Sequence, residues 1–161
     1  MLIPFPLGLL GTAVIFDIIY LIWGNPTMAV VAHWMIAAGI IGGLLSAPFG
    51  LIDLLAIPSG TRAKRIGIMH GVGNLIVLLL FIGSWYLRYN STGGDLYAPG
   101  NPALALSFSA FILVSLTGWL GGELVDRLSV GVDDGANLEA PNSLTGPVPK
   151  SKQQTTATRA T

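Results

Sequence analysis

Residues 28–57 read MAVVAHWMIAAGIIGGLLSAPFGLIDLLAI, and Asp53 is their only ionised side chain. About 20 mostly apolar residues suffice to cross the hydrocarbon core of a bilayer. This run exceeds that length, so it reads as one membrane span with an extension. Pro48 lies inside it, lacks a backbone N–H and predicts a kink or break there. The span proper then covers 28–47, and 49–57 form a short helix near the interface.

The neighbouring segments repeat the pattern. Only Asp17 and Asp53 are charged between Met1 and Ser59. A first span runs from Leu7 to Trp23 and stops at Gly24-Asn25-Pro26-Thr27, a turn-forming sequence. A third runs from Ile66 to Tyr89 and a fourth from Ala103 to Leu124. Residues 1–128 thus form a four-helix transmembrane domain. Residues 129–161 are polar and turn-rich, with too little apolar area to order themselves. The expected fold is an all-α integral membrane protein, a bundle of four transmembrane helices with a flexible C-terminal tail.

Composition agrees. The 161 residues are 52% hydrophobic and 10% charged, with a mean hydropathy of +0.70. A soluble domain carries about 25% charged residues. Eight basic and eight acidic residues balance to zero, which excludes a bulk cationic surface for nucleic acid. The absence of cysteine excludes a disulfide, an iron–sulfur cluster or a thiolate zinc site. The N-terminus lacks the basic leader of a signal peptide and reads as a retained helix.

Basic residues set the expected orientation. Arg62, Lys64 and Arg65 precede the third span, and Arg127, Lys150, Lys152 and Arg159 follow the fourth. The positive-inside rule places both ends of the chain in the cytoplasm. Tyr20, Trp23, Trp34, Trp85, Tyr86, Tyr89 and Tyr97 gather toward the opposite face, as interfacial aromatics do. Ala38, Gly42, Ser46 and Gly50 recur every fourth residue along the second span. Gly67 and Gly71, and Gly118 and Gly122, extend this small-residue pattern to the other helices, where close backbone approach drives packing in lipid.

Ionisable groups inside a bilayer are costly and raise a functional hypothesis. Counted from the span ends at ~1.5 Å per residue, Asp17 and His33 lie at depths within about 3 Å of each other. They form a candidate intramembrane polar pair, serving as a structural bond, a proton relay or a ligand site. Asp53, His70, Asn74, Glu123 and Arg127 form a candidate cluster at the inner face, either a structural clamp or a quinone, substrate or proton site. Two histidines invite a haem, but His33 and His70 are roughly 15 Å apart in depth, too far to share one iron. A tetrapyrrole on one histidine, or a quinone, remains the cofactor class to test. Motifs for phosphate loops, zinc proteases and serine hydrolases are absent, which leans against an enzyme and leaves no catalytic or metal residue to name.

Several motifs together resemble a known family. They are Phe5-Pro6-Leu7-Gly8-Leu9 with Asp17, Pro48-x-Gly50-x-x-Asp53, His70-x-x-x-Asn74, and Gly121-Gly122-Glu123-Leu124-Val125 continuing through Arg127 to Val130-Gly131-Val132. Over residues 4–132 the chain resembles the bacterial membrane family catalogued as domain of unknown function 2231. The resemblance implies four membrane helices in a bacterial cytoplasmic membrane and supplies no activity. The resemblance extends to members fused to a Rieske-type ferredoxin domain, which implies membrane electron transfer by association. This chain departs from the pattern at Met1-Leu2-Ile3-Pro4, where members often carry histidines. It departs again at Asp126 and Leu128, where Tyr and His often flank the Arg. The departures count against a redox site beside His70.

The leading expectation is a non-catalytic small or anchoring subunit of a larger membrane complex, in bioenergetics or electron transfer, with other membrane subunits as partners. The alternatives are a haem- or quinone-associated redox module, and a small transporter or proton-conducting protein using Asp17 and His33.

Overall fold

The computed structural model describes residues 3–91, 94–133, 136–142 and 144. Four α-helices follow one another in it, and the described residues contain no strand. They are α1 (Pro4–Trp23), α2 (Pro26–Ala56), α3 (Arg62–Tyr89) and α4 (Asn101–Gly122). A π-helical turn, Glu123–Arg127, continues α4. All four are long and apolar enough to cross a membrane.

The local chemistry explains the boundaries. Gly24 takes a left-handed conformation at φ 62° and donates its N–H to the Tyr20 carbonyl, closing α1. Asn25 caps α2 by accepting the Thr27 N–H at 3.0 Å, and Pro26 fills the first turn. Thr61 caps α3 through the Lys64 N–H at 3.1 Å. Past the π turn, Ser129 at φ 53° ends the helical path, with the Val130 N–H on the Leu124 carbonyl.

Pro48 neither breaks α2 nor starts a separate interfacial helix: the helix runs unbroken to Ala56. A proline removes one hydrogen bond, a loss that this 31-residue helix absorbs without breaking. The flexible tail expected over 129–161 falls largely on residues 134–135, 143 and 145–161, which lie outside the described residues.

The helices pair as two hairpins, α1 against α2 and α3 against α4, joined mainly through α2 and α3. Leu10, Ala13, Val14, Ile36, Val77, Phe81 and Ala110 form the buried core between them. On α2 the close contacts fall on two adjacent rows, Gly42 on one and Gly39 and Gly43 on the other. Ala38 is exposed, whereas a Cβ on Gly39 would meet the Leu10 side chain at 2.6 Å and one on Gly43 would meet Leu78 at 2.6 Å. Gly42 sits against Pro6, Gly67 against Leu54, and Gly71 more loosely against Leu54. Gly50 and Gly118 face open space, and Ser46 turns its hydroxyl back to the Gly42 carbonyl.

Candidate functional site

Polar groups collect at the two ends of the bundle. At the aromatic end, Asp17 of α1 and Arg88 of α3 are both fully buried and meet face to face. Arg88 Nη1 and Nη2 each donate to one Asp17 carboxylate oxygen at 2.6 Å, a bidentate ion pair. Arg88 Nε donates to Ser84 Oγ at 3.2 Å, and Nη2 also donates to Ser107 Oγ at 3.1 Å. Ser84 gives its own proton to the Ala103 carbonyl at 2.8 Å. The 2.8 Å bond between the two hydroxyls therefore has Ser107 as donor. The cluster is internally neutral and ties α1, α3 and α4 together.

Asp17 thus has Arg88 as its partner. No hydrogen bond joins it to His33 among the described residues, contrary to the pairing expected from depth alone. The sequence did carry the missing signal. Arg88 is the single Lys or Arg between Arg65 and Arg127, and a buried carboxylate requires a cation. It stands one residue from the end of α3, where an arginine ordinarily reaches the interface, but its side chain points back along the bundle to Ser84 and Asp17.

His33 instead lies in an aromatic cluster. Tyr97, in the loop between α3 and α4, stacks on it with centroids 3.8 Å apart and planes 3° apart. Trp85 stacks at 5.3 Å, and Trp34 approaches edge-on at 5.5 Å. Tyr89 packs beside Trp85 and Tyr97. Tyr97 adopts φ 58°, a left-handed conformation that costs a non-glycine residue roughly 1 kcal/mol and is offset by this stacking. His33 Nδ1 and Trp85 Nε1 are buried without a hydrogen-bond partner among the described residues.

The basic end holds a second network. His70 Nδ1 lies 2.8 Å from the Thr117 carbonyl, which can only accept, so Nδ1 carries the proton. In the neutral ring Nε2 then accepts, and Asn74 Nδ2 donates to it at 3.0 Å. That turns Asn74 Oδ1 toward the Thr117 hydroxyl, which donates to it at 2.8 Å. Both ring nitrogens of His70 are therefore engaged. Close approach makes this possible: a Cβ on Gly121 would lie 3.1 Å from the ring, and one on Gly73 would collide with the Thr117 methyl.

Glu123, on the π turn, lies between two arginines, 2.6 Å from Arg62 Nη2 and 3.5 Å from Arg127 Nε. Asp53 does not join this cluster. It is exposed on α2 and makes no ion pair among the described residues. The cluster expected around His70 is thus two networks, one built on Thr117 and one on Glu123. Thr117, Ser84 and Ser107 do not stand out in the sequence, because hydroxyl residues are ordinary in membrane helices and carry no pattern. No group of three or more His, Cys, Asp or Glu side chains is placed to hold a metal ion among the described residues.

The Glu123 turn coincides with the closing motif that gave the family resemblance, and a family model covers it. The model described as predicted membrane protein (DUF2231) matches residues 1–134. The chain belongs to that family. It is accordingly a predicted membrane protein with four apolar helices, and lipid is its expected surrounding. The chain matches no curated protein and no solved structure.

Proposed function

We propose that this DUF2231 protein is a non-catalytic small or anchoring subunit of a larger membrane complex, with electron transfer the leading setting. The observation that carries the reading is the surface of α2. Only 11% of its most apolar stretch is buried, against 28% for each of the other helices. Beyond Pro48, Phe49, Leu51, Ile52 and Leu55 are exposed and Gly50 faces open space. Small and large apolar residues side by side suit contact with a further membrane helix. The titratable groups support the same reading. Asp17, His70 and Glu123 are each engaged in bonds that fasten helices together. Extraction in mild detergent should yield an assembly well above the monomer mass of 16.9 kDa. A clean monomer with no co-purifying protein overturns the reading.

A second reading rests on His33 and Trp85. Two buried ring nitrogens without partners, framed by stacked aromatics, suit a planar ring ligand such as a quinone or tetrapyrrole. A visible absorbance band, lost in His33→Ala, would favour this module over a cofactor-free subunit. A colourless, quinone-free preparation removes it.

A further inference from the structure

The π turn builds a small open cavity of about 210 Å³, lined by Trp119, Gly122, Glu123, Asp126 and Arg127. Its charges are not equivalent. Glu123 is nearly buried and committed to Arg62 and Arg127. Arg127 approaches it with Nε at 3.5 Å, its terminal nitrogens make no hydrogen bond among the described residues, and its side chain is 76% exposed. Asp126 is exposed and has no ion-pair partner among the described residues. Trp119, one turn earlier on α4, is 70% exposed on the flank of the bundle. Tryptophan in that position marks the boundary between headgroups and acyl chains.

From this geometry we infer that the cavity binds the headgroup of a zwitterionic phospholipid bearing a primary ammonium, of the phosphatidylethanolamine class. The lipid phosphate accepts from the terminal nitrogens of Arg127, and the ammonium donates to the Asp126 carboxylate. Trp119 packs against the glycerol region. Charge decides between lipid classes. Arg62, outside the lining, neutralises Glu123, which leaves Arg127 and Asp126 as one positive and one negative charge to meet a neutral zwitterion. An anionic phosphatidylglycerol headgroup satisfies Arg127 but leaves Asp126 beside net negative charge. A choline headgroup has no N–H to give a carboxylate, and a single tryptophan is a poor cage for it. The π turn makes the arrangement possible by widening the helix at Glu123, so that Glu123 turns inward while Asp126 and Arg127 stay outside.

Native mass spectrometry of the full chain, released from micelles containing equal phosphatidylethanolamine, phosphatidylcholine and phosphatidylglycerol, tests this. One phosphatidylethanolamine should be retained in preference to both other lipids. Asp126→Asn should reduce its advantage over phosphatidylcholine by about tenfold, the scale of one charge-assisted hydrogen bond. Arg127→Gln should weaken retention of all three, since phosphate is common to them. Both side chains are exposed, so neither variant threatens folding, and an unchanged thermal midpoint checks that. Equal retention of the three lipids, a preference for phosphatidylglycerol, or a preference unmoved by Asp126→Asn overturns the assignment. So does a lipid-free dimer whose assembly is lost in the same variants, which would make the cavity a protein contact.

Discussion

A bidentate Asp17–Arg88 pair with no exposed surface is held by shape as much as by charge. Removing both charges for apolar groups of similar size can be nearly neutral, but removing one strands the other in a low dielectric, at a cost of about 3–5 kcal/mol. Asp17→Asn and Arg88→Met should each lower the thermal midpoint in detergent strongly. The double variant Asp17→Leu/Arg88→Met should recover most of that loss. Equal losses in single and double variants would show that the pair is not coupled. The same scale of reasoning applies to His70, whose tautomer is fixed by its neighbours. A ¹⁵N spectrum of histidine-labelled protein should show the His70 proton on Nδ1 when the ring is neutral. A proton on Nε2 would contradict the Thr117–His70–Asn74 chain of bonds. Thr117→Val, which removes the hydroxyl donor to Asn74, should cost about 1–2 kcal/mol yet leave the proton on Nδ1, because the Thr117 backbone carbonyl that holds it is unchanged.

At the level of elements, glycines decide how near two helices come. The space beside Gly73 is taken by Thr117, whose short branched side chain is pinned by its hydrogen bond to Asn74. Gly73→Ala should push α3 off α4 and destabilise the bundle by about 1–3 kcal/mol. Gly118→Ala meets nothing within 4 Å and should be neutral or stabilising by up to about 1 kcal/mol, from helix propensity alone. If the two variants melt alike, the α3–α4 contact is not set by Gly73. These positions also show what was legible in the sequence. The existence and order of four helices followed from runs of apolar residues, which a bilayer demands and which tertiary contacts cannot disguise. The facing residues did not follow. A four-residue spacing marks a face on α2, but 38/42/46/50 and 39/43 lie on adjacent rows, and only the neighbour chosen by α1 and α3 selects between them. Likewise depth counting could pair Asp17 with a residue at its own level, but could not anticipate a long arginine reaching back from a helix end.

For the whole molecule, the testable consequence of four crossings is which loops share a side. The α2–α3 connection and the segment after α4 must lie on one side, and the α3–α4 loop on the other. The basic end carries Arg62, Lys64, Arg65 and Arg127, whereas the sole cation of the aromatic end, Arg88, is buried against Asp17 and offers no charge to the surface. The asymmetry of exposed positive charge is therefore stronger than the sequence count suggests. It predicts the basic end in the cytoplasm. The chain contains no cysteine, so single-cysteine variants report without background. Ser59→Cys, Ser91→Cys and Asp133→Cys all fall at exposed positions. In intact cells a membrane-impermeant thiol reagent should label Ser91→Cys and spare the other two until the membrane is opened. Labelling of Ser59→Cys and Asp133→Cys with Ser91→Cys protected would invert the orientation while keeping four crossings. Labelling of Ser59→Cys and Ser91→Cys together would mean that α3 does not cross the membrane. Its long apolar helix would then have to be buried against a partner protein along its whole length.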